Sequence, residues 1–586
     1  MPGQKLKKRI LFTVLLLSIP AVTFLLLWLT PAGSIFENRR FEAYTEKRFR
    51  EEAAASSINL HYTLADPSSA GIEDPAVTFG TVPLPEDAGI ETQNIKEADE
   101  LAGFDRSALN TDNRILLDVL EKNREDQELL ESCYMLQEFL GPSLGIQAQL
   151  PVLLAEYTFR TTEDITDYLK LLQDLPRYFS ELLEFEQEKA RRGLFMNDDC
   201  LDGILEQCSS FLNDPAPHYL QTVFEEKLNQ FDGLTGQERE ACQKTHEQLL
   251  ESCVFPAYRS LCDGLSELRG SGRNSGGLAG LEHGTEYYRY LLRSQVGTDD
   301  TPEEIEQRLY RQLQEDSREI GELAEKTPSL LLETSEPQLN FSSPERMIED
   351  LKTAIADDFP QLPQTEYEVK YVDDALEEFL SPAFYLTPPV DTSSPNSIYI
   401  NQSSLMSSME LYTTLAHEGF PGHLYQTVSF SLTDAPYLRH LYEPGGYIEG
   451  WATYIESYAY AYAVRSHPEL SDAARLMWLN RSINLCLYSL MDLGIHYHGW
   501  TLAQTREFLS SFGITQESLA DETFQYIVET PANYLRYYVG YLNFLDLREA
   551  CREREGEDFS LKEFHRRLME IGPAPFSIVE KYLLEE

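Results

Sequence analysis

From Ile10 to Thr30 the chain runs 21 residues without a charge, directly after Lys5, Lys7, Lys8 and Arg9. A helix of that length spans about 30 Å, the thickness of a bilayer's hydrocarbon layer. Pro20 falls mid-run, which a membrane helix tolerates better than a soluble one, and Trp28 lies near the outer end, where an indole suits the interface. The pattern predicts a cytoplasmic basic tail over 1–9 and a single-pass transmembrane anchor over 10–30 in the cell membrane. Everything after about residue 32 is then extracytoplasmic. The rival reading is a signal peptide that is cleaved to release a secreted body. Thr30-Pro31-Ala32 is a poor small-x-small site, and the run is long for a signal core.

The rest of the chain has a different character. Over 586 residues, 97 acidic side chains oppose 48 basic ones, a formal charge of −49, yet 42% of residues are hydrophobic. That apolar fraction calls for a large packed core and excludes a disordered acidic chain. The charge argues against nucleic acid as a partner, because phosphate backbones recruit an excess of Lys and Arg. Eight cysteines are too few for a disulfide scaffold, and no Cys-x-x-Cys pair offers a thiolate metal site. Cys200 and Cys208 can pair if the chain turns between them; buried free thiols are the alternative.

Hydrophobic periodicity predicts a mainly α fold. Phe36 to Ala55 reads as a first helix, 66–95 as extended coil, and 105–268 as helical, with Leu116, Leu117, Leu120, Leu129 and Leu130 at helical spacings. Asp164 to Lys189 reads as an amphipathic pair broken near Pro176. Thr301-Pro302-Glu303-Glu304 is a strong helix start. The stretch 270–277 is rich in Gly and Ser and reads as a linker. It separates an N-terminal helical region (36–269) from a catalytic region (278–586), giving a two-lobed helical body. Tyr367–Val372, Ala383–Leu386 and Ser397–Asn401 carry strand formers, so a small antiparallel sheet is expected before residue 405.

Chemistry concentrates in Leu415-Ala416-His417-Glu418-Gly419-Phe420-Pro421-Gly422-His423. Two imidazoles and a carboxylate hold zinc while leaving a coordination position for water, and a second carboxylate beside the first ligand takes that water's proton. The histidines stand at i and i+6, which an ideal helix places on different faces. Pro421 and Gly422 permit a bulge that returns His423 to the metal. A third ligand is available in Glu449 or Glu456, seven residues apart and so on one helix face. Glu449 is the favoured ligand, with Glu456 as the partner that fixes a ligand histidine. His496 stands ready to bind a substrate carbonyl or an oxyanion. The cluster Tyr534 to Tyr541, with Arg536, offers phenols for the same task.

These blocks together carry a resemblance. His-Glu-x-x-Pro-Gly-His, Glu-Gly-Trp-x-x-Tyr-x-Glu, Asp-x-Gly-Ile-His-x-x-Gly-Trp and Pro-x-x-x-x-x-Tyr-x-x-Gly, with His61-Tyr62-Thr63, Gly145–Gln149 and Tyr399-Ile400-Asn401, resemble the bacterial domain of unknown function 885 family. The resemblance implies a helical, zinc-metallopeptidase-like body similar in layout to thimet-type oligopeptidases and carboxypeptidase Taq-type enzymes. It maps one zinc ion onto His417, His423 and Glu449, the general base onto Glu418, and transition-state or substrate roles onto Tyr537 and His496. Many relatives read His-His where this chain has His423-Leu424. The expected function is an extracytoplasmic, membrane-anchored zinc peptidase acting on peptides. The alternatives are a non-catalytic binding protein on the same fold and a hydrolase of a non-peptide amide.

Overall fold

The computed structural model describes residues 31–213, 217–331, 337–362, 365–372, 377 and 381–585. The predicted basic tail and anchor, residues 1–30, lie outside the described residues. Among the described residues no helix is long and apolar enough to cross a membrane.

Helices dominate from the start. α1 (Pro31–Ala53) and α2 (Ser57–Thr63) lead into α3 (Thr111–Glu131). Asn110 caps α3 by accepting the Asn113 N–H, one of the donors a helix start leaves unpaired. The two sides of α3 serve different cores. Ile115 and Val119 join the large core, while Leu116, Leu117 and Leu120 pack with Phe41 and Phe49 of α1. α4 (Thr162–Arg192) opens on a Thr161/Asp164 capping box and closes on Gly193 in the left-handed region. It runs unbroken through Pro176, contrary to the expected helix pair. Its apolar face, including Leu171, Leu172, Leu175 and Phe185, is continuous across the proline and fully buried. That burial outweighs the roughly 3 kcal/mol a proline costs inside a helix.

α5 (Asp198–Leu212) and α6 (Phe255–Glu267) complete the second core with α4. Cys200 and Cys208 both ride on α5, eight residues apart and thus about 12 Å along its axis, so they stay free thiols. The expected capping box at Thr301/Glu304 starts α7 (Pro302–Lys326).

The three expected strands form: β1 (Tyr367–Tyr371), β2 (Ala383–Leu386) and β3 (Asn396–Ile400). Their order is β1-β3-β2. The sheet is mixed rather than antiparallel, because β1 runs parallel to β3 with Tyr367 opposite Asn396. Only β2 pairs antiparallel, with Ala383 opposite Ile400. β3 is central and accordingly the most buried of the three.

Helices return in α8 (Ser408–Glu418), α9 (His423–Ser431), α10 (Gly445–Ala463), α11 (Ser471–His496), α12 (Glu517–Glu529), α13 (Asn533–Glu555) and α14 (Leu561–Ile571). The large core lies among these other than α12, with α3 and α7, while Ala520, Phe524 and Ile527 of α12 pack with Met491 and Ile495 of α11 in a smaller cluster. α10 and α13 meet backbone to backbone. A Cβ on Gly450 would lie 2.4 Å from the Gly540 carbonyl carbon, and one on Gly540 2.1 Å from the Gly446 oxygen. No other residue type permits that approach. It brings the α10 face bearing Glu449 alongside the α13 turn bearing Tyr537.

A candidate metal centre between four helices

The two histidines sit on separate helices, not on one kinked helix. Ser407 and Glu410 form the capping box that starts α8, and Met409, Tyr412, Leu415 and Ala416 bury its inner face. α8 stops at Glu418, where Gly419 takes φ −111° and ψ −103°. Gly422 then passes so close to α8 that a Cβ would lie 1.8 Å from the His417 carbonyl oxygen. Only glycine fits there, so the motif's Gly is a steric requirement. The Trp451 Nε1–H donates to the Pro421 carbonyl at 2.9 Å and pins the break to α10. α9 begins at His423, which the return brings back beside His417.

The ring centroids of His417 and His423 are 4.7 Å apart at 88°. One ligand atom from each of His417, His423 and Glu449 lies within 4.8 Å of the other two. Glu449 Oε2 is 3.6 Å from Nε2 of both histidines. Glu449 and Glu456 share a face of α10 as expected but divide the work. Glu456 Oε1 lies 2.8 Å from His417 Nδ1 and accepts its proton, which leaves Nε2 facing the centre. Arg481 on α11 donates Nε–H to the other oxygen, Glu456 Oε2, at 3.0 Å. Glu418 lies to the side, its Oε1 3.9 Å from His417 Nε2. Its Oε2 accepts the Tyr385 backbone N–H of β2 at 2.9 Å.

The electrostatics mark a place for positive charge. Burial disfavours a charged His417, but Glu449 and Glu456 overcome it and push the imidazole up to about 10. Burial also works against an ionised Glu449, yet the two imidazoles hold its carboxyl well below the ordinary range. For Glu456 burial is opposed by Arg481 and then His417, which hold it down to about 2. Two imidazoles that would give up a proton to a metal, converging with a carboxylate, are a donor set suited to zinc. His423 Nδ1 is buried without a partner, so the ring has only Nε2 to present. His417, His423 and Glu449 are the residues that could hold one metal ion here, and their chemistry fits zinc.

Tyr537 of α13 lies near the group. Its ring centroid is 6.5 Å from that of His417. Burial and then the Glu449 charge raise its phenol above the ordinary value, so it remains a proton donor. His496 does not join the group, and the substrate role expected for it is corrected here. It is fully buried at the end of α11. Its Nε2–H donates to the Ile527 carbonyl at 2.7 Å and its Nδ1 accepts the Leu278 N–H at 3.1 Å. Burial pulls it down to about 4, and with both nitrogens committed it clamps Leu278 and α12 to α11.

Sequence reasoning missed Arg481, the Tyr385 backbone and the cavity beside the centre. That cavity, about 500 Å³, is reached by His423 and Glu449 and by the outer side of β2, with Tyr62 and Thr63 of α2 on its wall. The His61-Tyr62-Thr63 block carried a signal for the last of these, since it stood among the family-like segments.

The family model described as "Bacterial protein of unknown function (DUF885)" matches residues 86–583. The chain belongs to that family. No curated protein matches the chain. Two solved structures share the fold of this family member across nearly all of its length. One is of a protein from Colwellia psychrerythraea described as a "putative lipoprotein", with TM-score 0.79 at 19% identity, covering 94% of this chain and 99% of that one. The other, from Shewanella oneidensis and described as a "putative lipoprotein of unknown function", has TM-score 0.62 at 16% identity, covering 93% and 99%. At those identities the likeness establishes the fold alone.

Proposed function

We propose that this chain is a zinc-dependent hydrolase of peptide bonds that works outside the cytoplasm. The observation that carries the reading is the convergence of His417, His423 and Glu449 within 4.8 Å beside an uncommitted oxygen of Glu418. Zinc held there supplies Lewis acidity toward water and toward a carbonyl oxygen. The chain's own groups do the rest. Glu418, tethered through Oε2 by Tyr385, keeps Oε1 to accept a proton from the attacking water and return it to the leaving nitrogen. Tyr537 donates its O–H where negative charge develops on the carbonyl oxygen. Arg481 holds Glu456, and Glu456 holds His417 in the tautomer and orientation that ligation needs.

Extended substrate pairs along β2. The central strand β3 is hydrogen-bonded on both sides and has no free edge to offer. β2 is an edge strand, and the Tyr385 N–H points away from β3 toward Glu418, so its outer edge runs past the centre. A peptide adding there gains backbone hydrogen bonds without regard to its side chains. The apolar run at 10–30 and the description of each solved structure as that of a "putative lipoprotein" support a membrane-attached, extracytoplasmic location. Digestion of a diverse peptide library by zinc-loaded protein, with mass-spectrometric readout, tests the reading. Cleavage that vanishes on chelation and returns with zinc is expected; a library left intact by fully loaded protein contradicts it.

A further inference from the structure

Cys208 cannot reach Cys200 along its own helix, but another cysteine faces it from α6. α5 and α6 pack antiparallel, and three contacts set their register. At one end the rings of Phe211 and Tyr258 lie 4.3 Å apart. At the other, Asp202 pairs with Arg269 just beyond α6, and Asp198 Oδ1 accepts the Gly270 N–H at 2.9 Å. Counted inward from the two rings, Cys208 lies three residues before Phe211 and Cys262 four residues after Tyr258, one helical turn in each case. On antiparallel helices those two steps run in the same direction, so the two cysteines arrive at one level. They also share the interface. Leu201, Ile204, Cys208 and Phe211 form the buried face of α5. Tyr258, Leu261 and Leu265 form that of α6, with Cys262 half-buried beside them.

The two side chains behave as a pair. Their thiols are hydrogen-bond partners, and that contact raises the Cys208 thiol above its ordinary value, with burial adding to it. The same contact lowers the Cys262 thiol against burial. The proton therefore stays on the buried sulfur, and thiolate character falls to Cys262, the one a reagent reaches. A thiolate is the nucleophile in disulfide exchange, and sulfurs already in hydrogen-bond contact need little movement to bond.

We infer that Cys208 and Cys262 form a disulfide that staples α5 to α6, with Cys262 as the attacking sulfur and Cys208 as the resolving one. The oxidant is an external disulfide, carried by a protein or a small molecule. Cys262 Sγ attacks one of its sulfurs, forming a mixed disulfide and expelling the first thiolate. Cys208 Sγ then attacks Cys262 Sγ and expels the second. Two cysteine thiols are oxidised, one disulfide is reduced to two thiols, and the two cysteine protons end on those thiols. The bond closes a loop that includes the helices Tyr219–Gln230 and Gly236–Leu249, and long loops are where a cross-link restrains the unfolded chain most. A location outside the cytoplasm is where such a bond persists.

Peptide mapping tests the inference. Full-length protein is reduced, treated with glutathione disulfide, quenched in acid, alkylated after denaturation and digested for mass spectrometry. The Cys208 and Cys262 peptides should appear joined and two hydrogens lighter than their sum, with neither cysteine alkylated. Cys208→Ala, which removes the resolving sulfur, should hold one glutathione on Cys262. Cys262→Ser, nearly the same size at a half-buried position, should leave Cys208 free to be alkylated. Alkylation of both cysteines in oxidised wild type, or Cys208 joined to a different cysteine, would overturn the bond whether or not either variant folds. Glutathione on Cys208 in Cys262→Ser would overturn the order of attack. Peptide hydrolysis plays no part in the readout, so the result is independent of the hydrolase reading.

Discussion

His417 Nδ1 lies 2.8 Å from Glu456 Oε1, and Arg481 holds the opposite oxygen of the same carboxylate at 3.0 Å. The ring is thereby fixed in the tautomer whose Nε2 lone pair faces His423 and Glu449. Loss of the carboxylate frees the ring to turn and to switch tautomer. Glu456→Ala should weaken zinc binding about 10- to 100-fold, read by competition against a fluorescent chelator. Unchanged affinity would mean that Glu456 merely fills space.

In the proposed mechanism Glu418 transfers the proton and does not ligate the metal. Glu418→Gln keeps the Tyr385 N–H acceptor and the side-chain volume while removing the base. Turnover should fall at least about 10²- to 10⁴-fold with zinc content unchanged, measured by peptide hydrolysis alongside metal analysis.

In the proposed mechanism Tyr537 acts only as negative charge develops. Tyr537→Phe should lower kcat about 10²- to 10³-fold and leave KM nearly as it was. A rise in KM with kcat intact would assign the phenol to ground-state binding.

Asp492 gives a pH signature away from the centre. It is fully buried and accepts from Tyr288 O–H and Ala532 N–H through Oδ1, while Oδ2 has no partner. Burial pushes its carboxyl up to about 7. Because the folded value lies above the unfolded one, its stabilising contribution is complete below about pH 4 and is lost as pH rises through 7. Asp492→Asn keeps the Oδ1 acceptor without the charge. The wild type's Tm should therefore drop relative to the variant's between pH 5 and 8. Parallel Tm profiles would contradict this.

The α10–α13 contact predicts a packing failure. A methyl group at residue 540 meets the Gly446 oxygen at 2.1 Å. Gly540→Ala should destabilise the fold by about 1–3 kcal/mol and displace Tyr537, so thermal unfolding and turnover should suffer together.

The site was legible where chemistry dictates residue type at short range. Two imidazoles, a base beside the first and two carboxylates one helix face apart stand within the span 417–456. The Pro421-Gly422 pair was legible as a device for returning His423, but not the form it takes. Two helices and a break replace one bulged helix because Gly422 can lie against the His417 carbonyl, a contact periodicity does not encode. His496 was misread because both of its partners, Leu278 and Ile527, are backbone groups distant in sequence. Arg481 carried no local signal, since its role exists only once α11 packs against α10. The three strands were legible from their aromatic and β-branched residues; their order was not, since the parallel pairing of β1 with β3 skips β2. Pro176 marked a break that the continuous buried face of α4 overrides.

Every role proposed for these side chains requires a metal bound by His417, His423 and Glu449. Inductively coupled plasma mass spectrometry on protein loaded with zinc and then desalted should find one equivalent per chain for the wild type. The His417→Ala/His423→Ala double variant, with an unchanged circular dichroism spectrum, should retain almost none. Wild-type protein that keeps no zinc, or a double variant that keeps as much as the wild type, would contradict the assignment.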